Sequence, residues 1–177
     1  MRIISGYLGG RVIKVPDSKL IRPTTDRVRE TLFNILNNKI DFDGIKVLDL
    51  YAGSGSLGFE ALSRGAAEIH FVEKNFVIYN NLMNNIKSLS VENNCKIFKM
   101  DVVRYTSSAF YKYDLILADP PFFKDEIHIA AKNILQNELF SKPVLSKTKE
   151  TVNYLFFYIG IEGFLWGKIC SSIFYNH

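Results

Sequence analysis

Between residues 45 and 118, the spacing of apolar residues switches regularly between two patterns. Short continuous apolar runs predict four buried strands, at 45–50, 68–72, 96–100 and 114–118. Between the first three strands, apolar residues recur at helical spacing over about 56–64 and 75–89. Strands of this kind that alternate with helices predict an α/β fold, a mostly parallel sheet with helices on both faces. Ligands of such sheets bind at the carboxyl ends of the strands, near the point where the strand order reverses.

The chain before this alternation follows other patterns. Residues 1–15 contain two short β-like runs around a glycine-rich centre, which predicts an N-terminal β-hairpin. From Thr25 or Asp26, each a suitable N-cap, apolar residues recur at helical spacing to about Asn38. A helix therefore precedes the first strand of the sheet.

Length and composition are those of one soluble globular domain. Of 177 residues, 47% are hydrophobic and 23% are charged, and no apolar stretch approaches the length of a membrane span. The N-terminus lacks a signal-peptide pattern, and neither the two cysteines nor the three histidines have metal-ligand spacing. We therefore expect a cytoplasmic monomer without a metal site. Its single domain, residues 1–177, divides into a basic hairpin (1–20), a core (21–123) and a C-terminal part (124–177).

Positive charge is concentrated near the N-terminus. Residues 1–39 hold eight Lys and Arg against three Asp and Glu, whereas the other 138 residues hold 14 against 15. This pattern is typical of an arm that faces nucleic acid, although an ordinary solvated surface would look the same. The candidates for phosphate contacts are Arg2, Arg11, Lys14 and Arg22. Arg27 and Arg29 fit either phosphate contacts or structural ion pairs.

The first predicted strand of the sheet leads into a glycine-rich loop. Gly53, Gly55 and Gly58 fit the G-x-G-x-x-G pattern between a strand and a helix. Glu73 ends the next strand, where its carboxylate can accept hydrogen bonds from ribose hydroxyls. The loop thus suits NAD or S-adenosylmethionine, and Asp49 disfavours NAD because a carboxylate would repel the pyrophosphate. Tight turns alone are the alternative explanation of the glycines.

The fourth predicted strand ends in a second informative loop. Residues 114–122 read Asp-Leu-Ile-Leu-Ala-Asp-Pro-Pro-Phe, so Asp119, Pro120, Pro121 and Phe122 follow the strand directly. The prolines fix φ and donate no N–H group, which makes the loop stiff and leaves its carbonyl oxygens able to accept. A carboxylate, a rigid carbonyl and an aromatic face together suit a planar base with an exocyclic amino group. A proline turn with a solvated aspartate is the alternative.

Four strand ends therefore carry carboxylates in order: Asp49, Glu73, Asp101 and Asp119. This order, followed by Pro-Pro-Phe, resembles the S-adenosylmethionine-dependent amino methyltransferases that act on bases. The segments at 22–34 (Arg-Pro-Thr-Thr-Asp-Arg-Val-Arg-Glu-Thr-Leu-Phe-Asn) and 48–66 narrow the resemblance to the RsmD-like family. Members of this family are 16S ribosomal RNA guanine-N2 methyltransferases. The resemblance covers about residues 1–123.

The resemblance implies a fold, a cofactor, a site and a partner. The fold is the Rossmann-like methyltransferase fold with an N-terminal hairpin extension, and the partner is 16S ribosomal RNA or an assembling small ribosomal subunit. The implied contacts of S-adenosyl-L-methionine are Thr24, Thr25, Asp26, Asp49, Ala52, Gly53, Ser54, Gly55, Glu73, Lys74, Asp101 and Val102. The implied catalytic residues are Asp119, Pro120, Pro121 and Phe122. Asp119 and the Pro120 carbonyl accept the two N–H bonds of guanine N2, and Phe122 stacks on the base.

Two other functions remain compatible with these residues. A DNA methyltransferase acting on adenine N6 or cytosine N4 would use the same loop, although the chain is short and lacks an obvious domain for reading DNA sequence. A non-catalytic RNA-binding module on the same fold is the other alternative.

The C-terminal part departs from the pattern of the family. Family members continue with a helix, a fifth strand and a closing hairpin, whereas residues 140–177 contain apolar runs without that pattern. Ordinary divergence and a change of reading frame after about residue 140 are the two explanations. Translating the coding sequence in its other frames distinguishes them, because a family-like tail is expected in another frame only under the second.

Overall fold

A six-stranded sheet forms the centre of the protein in its computed structural model. The structure describes residues 1–16, 24–120 and 124–141 and, beyond them, the backbone of four strands. Along the chain the elements are α1 (Asp26–Asn37), β1 (Lys46–Leu50), α2 (Ser56–Ser63), β2 (Glu68–Val72), α3 (Phe76–Leu89), β3 (Cys95–Phe98), α4 (Val102–Ser108), β4 (Leu115–Ala118), α5 (Lys124–Gln136), β5 (Val144–Leu145), β6 (Thr151–Val152), β7 (Leu155–Ile159) and β8 (Leu165–Ile169).

The strand order of the sheet is β3-β2-β1-β4-β7-β8. All neighbours pair in parallel except β8, which runs antiparallel to β7. The strand order therefore reverses between β1 and β4, the place where α/β sheets bind their ligands. This architecture confirms the predicted, mostly parallel sheet. The C-terminal part, whose strands could not be assigned from the sequence, contributes β7 and β8 at one edge and a separate antiparallel pair, β5 and β6.

Each strand sends alternate side chains to opposite faces of the sheet. Val47, Ile69, Phe71, Leu115 and Leu117 pack with α1, α2, α3 and the N-terminal segment. The intervening positions of the same strands pack with α4 and α5. This period of two is the reason that helices cover both faces. It also determines which face receives each side chain at the strand ends.

Most predicted elements agree with the structure within one or two residues. α1 begins after Thr25, whose side chain accepts a hydrogen bond from the Val28 N–H. The strand predicted at 96–100 runs instead over Cys95–Phe98. The Phe98 carbonyl accepts bonds from the N–H groups of both Glu73 and Met100, which turns the chain away from the sheet. In the part of the chain that the structure describes, no helix is long and apolar enough to cross a bilayer.

The N-terminal segment is attached to α2 through polar groups. The predicted hairpin closes through an antiparallel bridge between Arg2 and Val12. Two of its backbone groups bond to α2: the buried carboxylate of Glu60 accepts from the N–H groups of Ile4 and Ser5, at 2.8 and 3.2 Å. Glu60 also forms an ion pair with Arg64 at 2.9 Å. Glu60 is thus one of the side chains that hold the segment in place, and Ser63 of α2 is another, since its hydroxyl accepts from the Leu8 N–H.

We expect Glu60→Ala to lower the free energy of unfolding by about 3 kcal/mol, because it leaves the largely buried Arg64 charge without its partner and two partly buried N–H groups without their acceptor. Urea denaturation measures the loss. The exposed Glu30 of α1 provides the matched control, Glu30→Ala, which should change stability by less than about 0.5 kcal/mol. Equal stability of the two variants would contradict this account of the attachment.

Candidate active site

Three carboxylates lie at the carboxyl edge of the sheet, on the face covered by α1, α2 and α3. Asp49 lies in β1 two residues after Val47, while Glu73 and Asp119 come directly after β2 and β4. Because side chains alternate along strands, all three follow the positions that face these helices. Asp49 and Asp119 flank the point where the strand order reverses. The structure therefore brings together three of the four strand-end carboxylates that the sequence predicted.

Asp49 is buried with only 1% of its surface exposed. Its Oδ2 accepts a hydrogen bond of 2.9 Å from the Gly58 N–H in the first turn of α2. Burial raises the pKa of Asp49 well above its usual value, the bond from Gly58 lowers it in part, and the charges of Asp119 and Glu73 raise it further. A negative charge is therefore costly here unless a positive group compensates for it.

The carboxylate of Glu73 holds the glycine loop in place. Its Oε2 accepts from the Gly53 N–H at 3.1 Å, and its Oε1 accepts from the Asn75 N–H at 2.8 Å. One side chain thus fixes both the loop after β1 and the turn into α3. A carboxylate has about four acceptor sites, so Glu73 keeps lone pairs for ribose hydroxyls.

The three glycines of the loop have different reasons to be glycine. A Cβ at Gly58 would lie 2.3 Å from a Phe71 ring carbon, and one at Gly55 would lie 2.5 Å from a Leu82 methyl. These two allow close packing. Gly53 has φ of +56°, and a Cβ there would meet only the Tyr51 carbonyl, at 3.8 Å. Close packing thus accounts for Gly55 and Gly58, and the positive φ of Gly53 fits a tight turn, while the space beside its Cα is open to a ligand.

The acceptor loop begins at the end of β4. The Thr24 hydroxyl donates a short hydrogen bond to Oδ2 of Asp119, which links the residue before the α1 cap to this loop. Burial raises the pKa of Asp119, and the bond from Thr24 lowers it in part. Pro120 is buried. Pro121, Phe122 and the predicted phosphate contact Arg22 lie outside the described residues.

Asp101 follows β3 by three residues and is the N-cap of α4. Its Oδ1 accepts from the N–H groups of Val103 and Arg104, at 2.9 and 3.4 Å, which caps the helix. Its Oδ2 lies 3.7 Å from Nζ of Lys74. One carboxylate oxygen is therefore committed to the cap, and the other lies near an exposed lysine. The next residue, Val102, is buried in the core between the sheet and α4.

Of the remaining predicted cofactor contacts, two have structural roles at the start of α1. Thr25 is the N-cap, and Asp26 pairs with the Arg29 guanidinium at 2.7 Å. Arg29 is fully buried and also donates to the Arg2 carbonyl, so the structure assigns it to an ion pair and not to a phosphate contact. Arg27 is exposed.

The predicted phosphate contacts partly anchor the N-terminal segment. Arg2 donates to the Gly10 carbonyl at 2.7 Å. Arg11 donates to the Ser88 carbonyl at 2.6 Å, near the C-terminus of α3, where a cation is favourable. Both side chains remain exposed, and so does Lys14.

Asn85 is a residue of the site that the sequence predictions did not include. Its buried amide nitrogen donates to the carbonyls of Ser54 in the glycine loop and Lys14, at 3.1 and 2.9 Å. Its Oδ1 accepts from the Lys14 N–H. Ser54 and Ala52 are themselves buried. A polar residue on the apolar face of the predicted 75–89 helix was the available signal.

Comparison with known proteins shows which protein families and solved structures this chain is similar to. The family model described as conserved hypothetical protein 95 matches residues 1–153, well beyond the motifs that end near residue 123. The Ribosomal RNA small subunit methyltransferase D of Escherichia coli is 40% identical over 122 residues, which cover 69% of this chain and 60% of that protein. The enzyme of the same name from Buchnera aphidicola (Acyrthosiphon pisum) is 37% identical over 141 residues, which cover 79% and 72%.

Among solved structures, the Escherichia coli protein yhhF, assigned as a methyltransferase, superimposes with a TM-score of 0.75. It is 30% identical, and the match covers 89% of this chain and 78% of that one. The predicted Rossmann-like methyltransferase fold is therefore confirmed. The chain spans only 60% of the length of its Escherichia coli relative by sequence.

The raised pKa of Asp49 predicts a pH-dependent difference between the native protein and Asp49→Asn. A carboxyl whose pKa is raised by folding stabilises the protein below the unfolded pKa of about 4, and this stabilisation is lost as the pH rises through the folded pKa. Asparagine is neutral throughout. The stability of Asp49→Asn relative to the native protein should therefore increase between pH 4 and pH 8 in urea denaturation. Parallel pH profiles would contradict the assignment.

Proposed function

This chain belongs to the RsmD-like family, and we propose that it transfers the methyl group of S-adenosylmethionine to the exocyclic N2 amino group of a guanine in 16S ribosomal RNA. The observation that carries the proposal is the position of Asp119. It stands beside Asp49 and Glu73 at the carboxyl edge of the sheet, where a donor and an acceptor base can meet. The names of the Escherichia coli and Buchnera relatives support ribosomal RNA of the small subunit as the substrate.

The chemistry of the edge fits S-adenosylmethionine, whose sulfonium carries an activated methyl group and a positive charge. Burial and the charges of Asp119 and Glu73 make a negative charge on Asp49 costly, and a cationic ligand offsets that cost. Glu73 keeps acceptor sites for ribose hydroxyls, and Oδ2 of Asp101 can accept from the adenine amino group. Gly53 leaves its backbone accessible between them.

Asp119 and the Pro120 carbonyl would receive the amino group of the target base. The lone pair of guanine N2 is delocalised into the ring, so the nitrogen is a poor nucleophile unless its N–H bonds are held. Two acceptors that engage both N–H bonds turn the lone pair towards the methyl group, and positioning of this kind contributes most of the rate. The raised pKa of Asp119 also makes it a better acceptor of the departing proton. Thr24 orients the carboxylate for this role.

The base must leave its RNA surroundings to reach this loop, as in other enzymes that modify bases. We propose that Phe122 stacks on the extruded base. The exposed cations of the N-terminal segment would contact phosphates and carry no sequence information themselves. Both bare 16S RNA and an assembling small subunit present such a target.

Methyl transfer from tritiated S-adenosylmethionine tests the proposal against its alternatives. Incorporation into 16S RNA, bare or within small subunits from cells lacking this enzyme, and not into DNA, is the expected result. Transfer to DNA would support the adenine or cytosine enzyme. Failure to bind S-adenosylmethionine in isothermal titration would favour a non-catalytic RNA-binding module.

We expect Asp119→Ala to bind S-adenosylmethionine normally and to lower the rate of methyl transfer at least about a hundredfold, because the acceptor nitrogen loses its orientation. Single-turnover transfer and isothermal titration measure the two quantities separately. The exposed Asp43 supplies the control, Asp43→Ala, which should preserve both. Near-normal transfer by Asp119→Ala would show that the acceptor site lies elsewhere.

Glu73→Ala should act on the cofactor instead. It removes an acceptor of ribose hydroxyls and releases the Gly53 and Asn75 N–H groups, so binding should weaken by about 1–3 kcal/mol. Titration with S-adenosylmethionine gives the difference, and the exposed Glu92→Ala variant is the control. An unchanged affinity would exclude Glu73 from the cofactor site.

A further inference from the structure

Two large apolar side chains are exposed next to the proposed cofactor site. Phe76 and Val77 form the first turn of α3, directly after Glu73, Lys74 and Asn75, and they are 59% and 64% exposed. The cofactor chemistry described above does not use them. Scattered apolar residues are common on surfaces, but an adjacent pair at the rim of an active site requires a physical account.

A lysine from the neighbouring strand end lies over this aromatic ring. Lys99 follows β3 at a position that points towards α3, and its Nζ lies 4.3 Å from the centre of the Phe76 ring. Lys74 is the adjacent cation at the end of β2. An aromatic face flanked by ammonium groups is suited to a nucleotide, because the ring can stack on a base while the cation meets a phosphate.

The N-terminal segment extends this surface along α3. The Lys14 carbonyl accepts from the amides of Asn81 and Asn85, and Val77 precedes Asn81 by one turn on the same helix face. Arg11 lies further along, at the Ser88 carbonyl. Arg11, Lys14, Phe76, Val77 and Lys99 together are called the α3 strip. Ser88 follows Phe76 by twelve positions, which corresponds to about 18 Å of helix, enough for several nucleotides.

We propose that the α3 strip binds a single-stranded segment of the RNA substrate next to the target guanine, with an unpaired base stacked on Phe76. The strip leads from the basic N-terminal segment to the edge that holds Glu73 and Asp49. It deepens the proposed function and rests on it for the identity of the RNA.

Charge favours RNA over a protein as the occupant. α3 contains no Asp or Glu. The nearest carboxylates by strand position are occupied: Glu73 accepts backbone N–H groups, and Asp101 caps α4 and faces Lys74. The surface therefore offers cations and an aromatic face on a helix without carboxylates, which matches a phosphate backbone with unstacked bases.

The test compares exposed aromatic residues at two places. Phe76→Ala should weaken binding of protein-free 16S RNA, and of a short labelled single-stranded RNA, at least about fivefold in fluorescence anisotropy. Phe76→Trp should retain the affinity, because it keeps the stacking face. The control is Phe110→Ala: Phe110 is 95% exposed and lies in the loop between α4 and β4, outside the α3 strip. It should bind RNA like the native protein.

The contribution of charge is measured separately. Lys99→Ala should reduce the slope of log affinity against log salt concentration by about one, as expected when one phosphate contact is lost. The exposed Lys132 on α5, across the sheet, supplies the control Lys132→Ala, which should leave the slope unchanged. Both variants should bind S-adenosylmethionine with native affinity.

Three results would overturn the proposal: native RNA affinity in Phe76→Ala, an equal loss in Phe110→Ala, or a parallel loss of cofactor affinity that makes Phe76 part of the cofactor pocket. A defect confined to assembled small subunits would instead assign the strip to a protein partner. The binding assay does not depend on methyl transfer. If the native protein binds RNA without methylating it, the proposed function is disproved. The comparison of Phe76→Ala with Phe110→Ala would still show whether the α3 strip binds RNA.

Discussion

The close approach of α2 to β2 is the constraint on which the rest of the structure depends. It is possible only because Gly58 lacks a Cβ, which would otherwise overlap the Phe71 ring. The approach places the Gly58 N–H against the Asp49 carboxylate and gives that buried group its hydrogen bond. It also positions Glu60, which holds the N-terminal segment. The absence of a Cβ at Gly58 thus allows the contacts that form the candidate site and those that attach the N-terminal segment.

Two carboxylates at the carboxyl edge of the sheet are energetically unfavourable when ionised, and the packing of the fold alone does not explain their presence. Burial raises the pKa of both Asp49 and Asp119, and the charges of Asp119 and Glu73 raise the pKa of Asp49 further. Groups with perturbed pKa values that converge on one edge are typical of functional sites. A cationic methyl donor accounts for the arrangement, because its charge would offset the repulsion in the bound state.

The N-terminal segment contributes structural contacts as well as positive charge. Asn85 ties its backbone to the glycine loop, since one amide group bonds both Lys14 and Ser54. Binding of RNA by the segment and binding of the cofactor by the loop would therefore act on one connected set of contacts. Arg29 of α1 contacts the same segment: its guanidinium pairs with Asp26 and donates a hydrogen bond to the Arg2 carbonyl.

The sequence by itself determined the alternation of strands and helices, the loop glycines and the carboxylates at the strand ends. These features have local periods of two and 3.6 residues, so a single chain reveals them. Tertiary packing alone decided that Thr24 bonds Asp119, that Asp101 caps α4 and that Lys99 lies over Phe76. Tertiary structure also decided the C-terminal edge of the sheet, because the pairing of β7 with β4 joins segments that are far apart in the chain. Such contacts join residues far apart in the chain, and no local pattern of spacing encodes their distance.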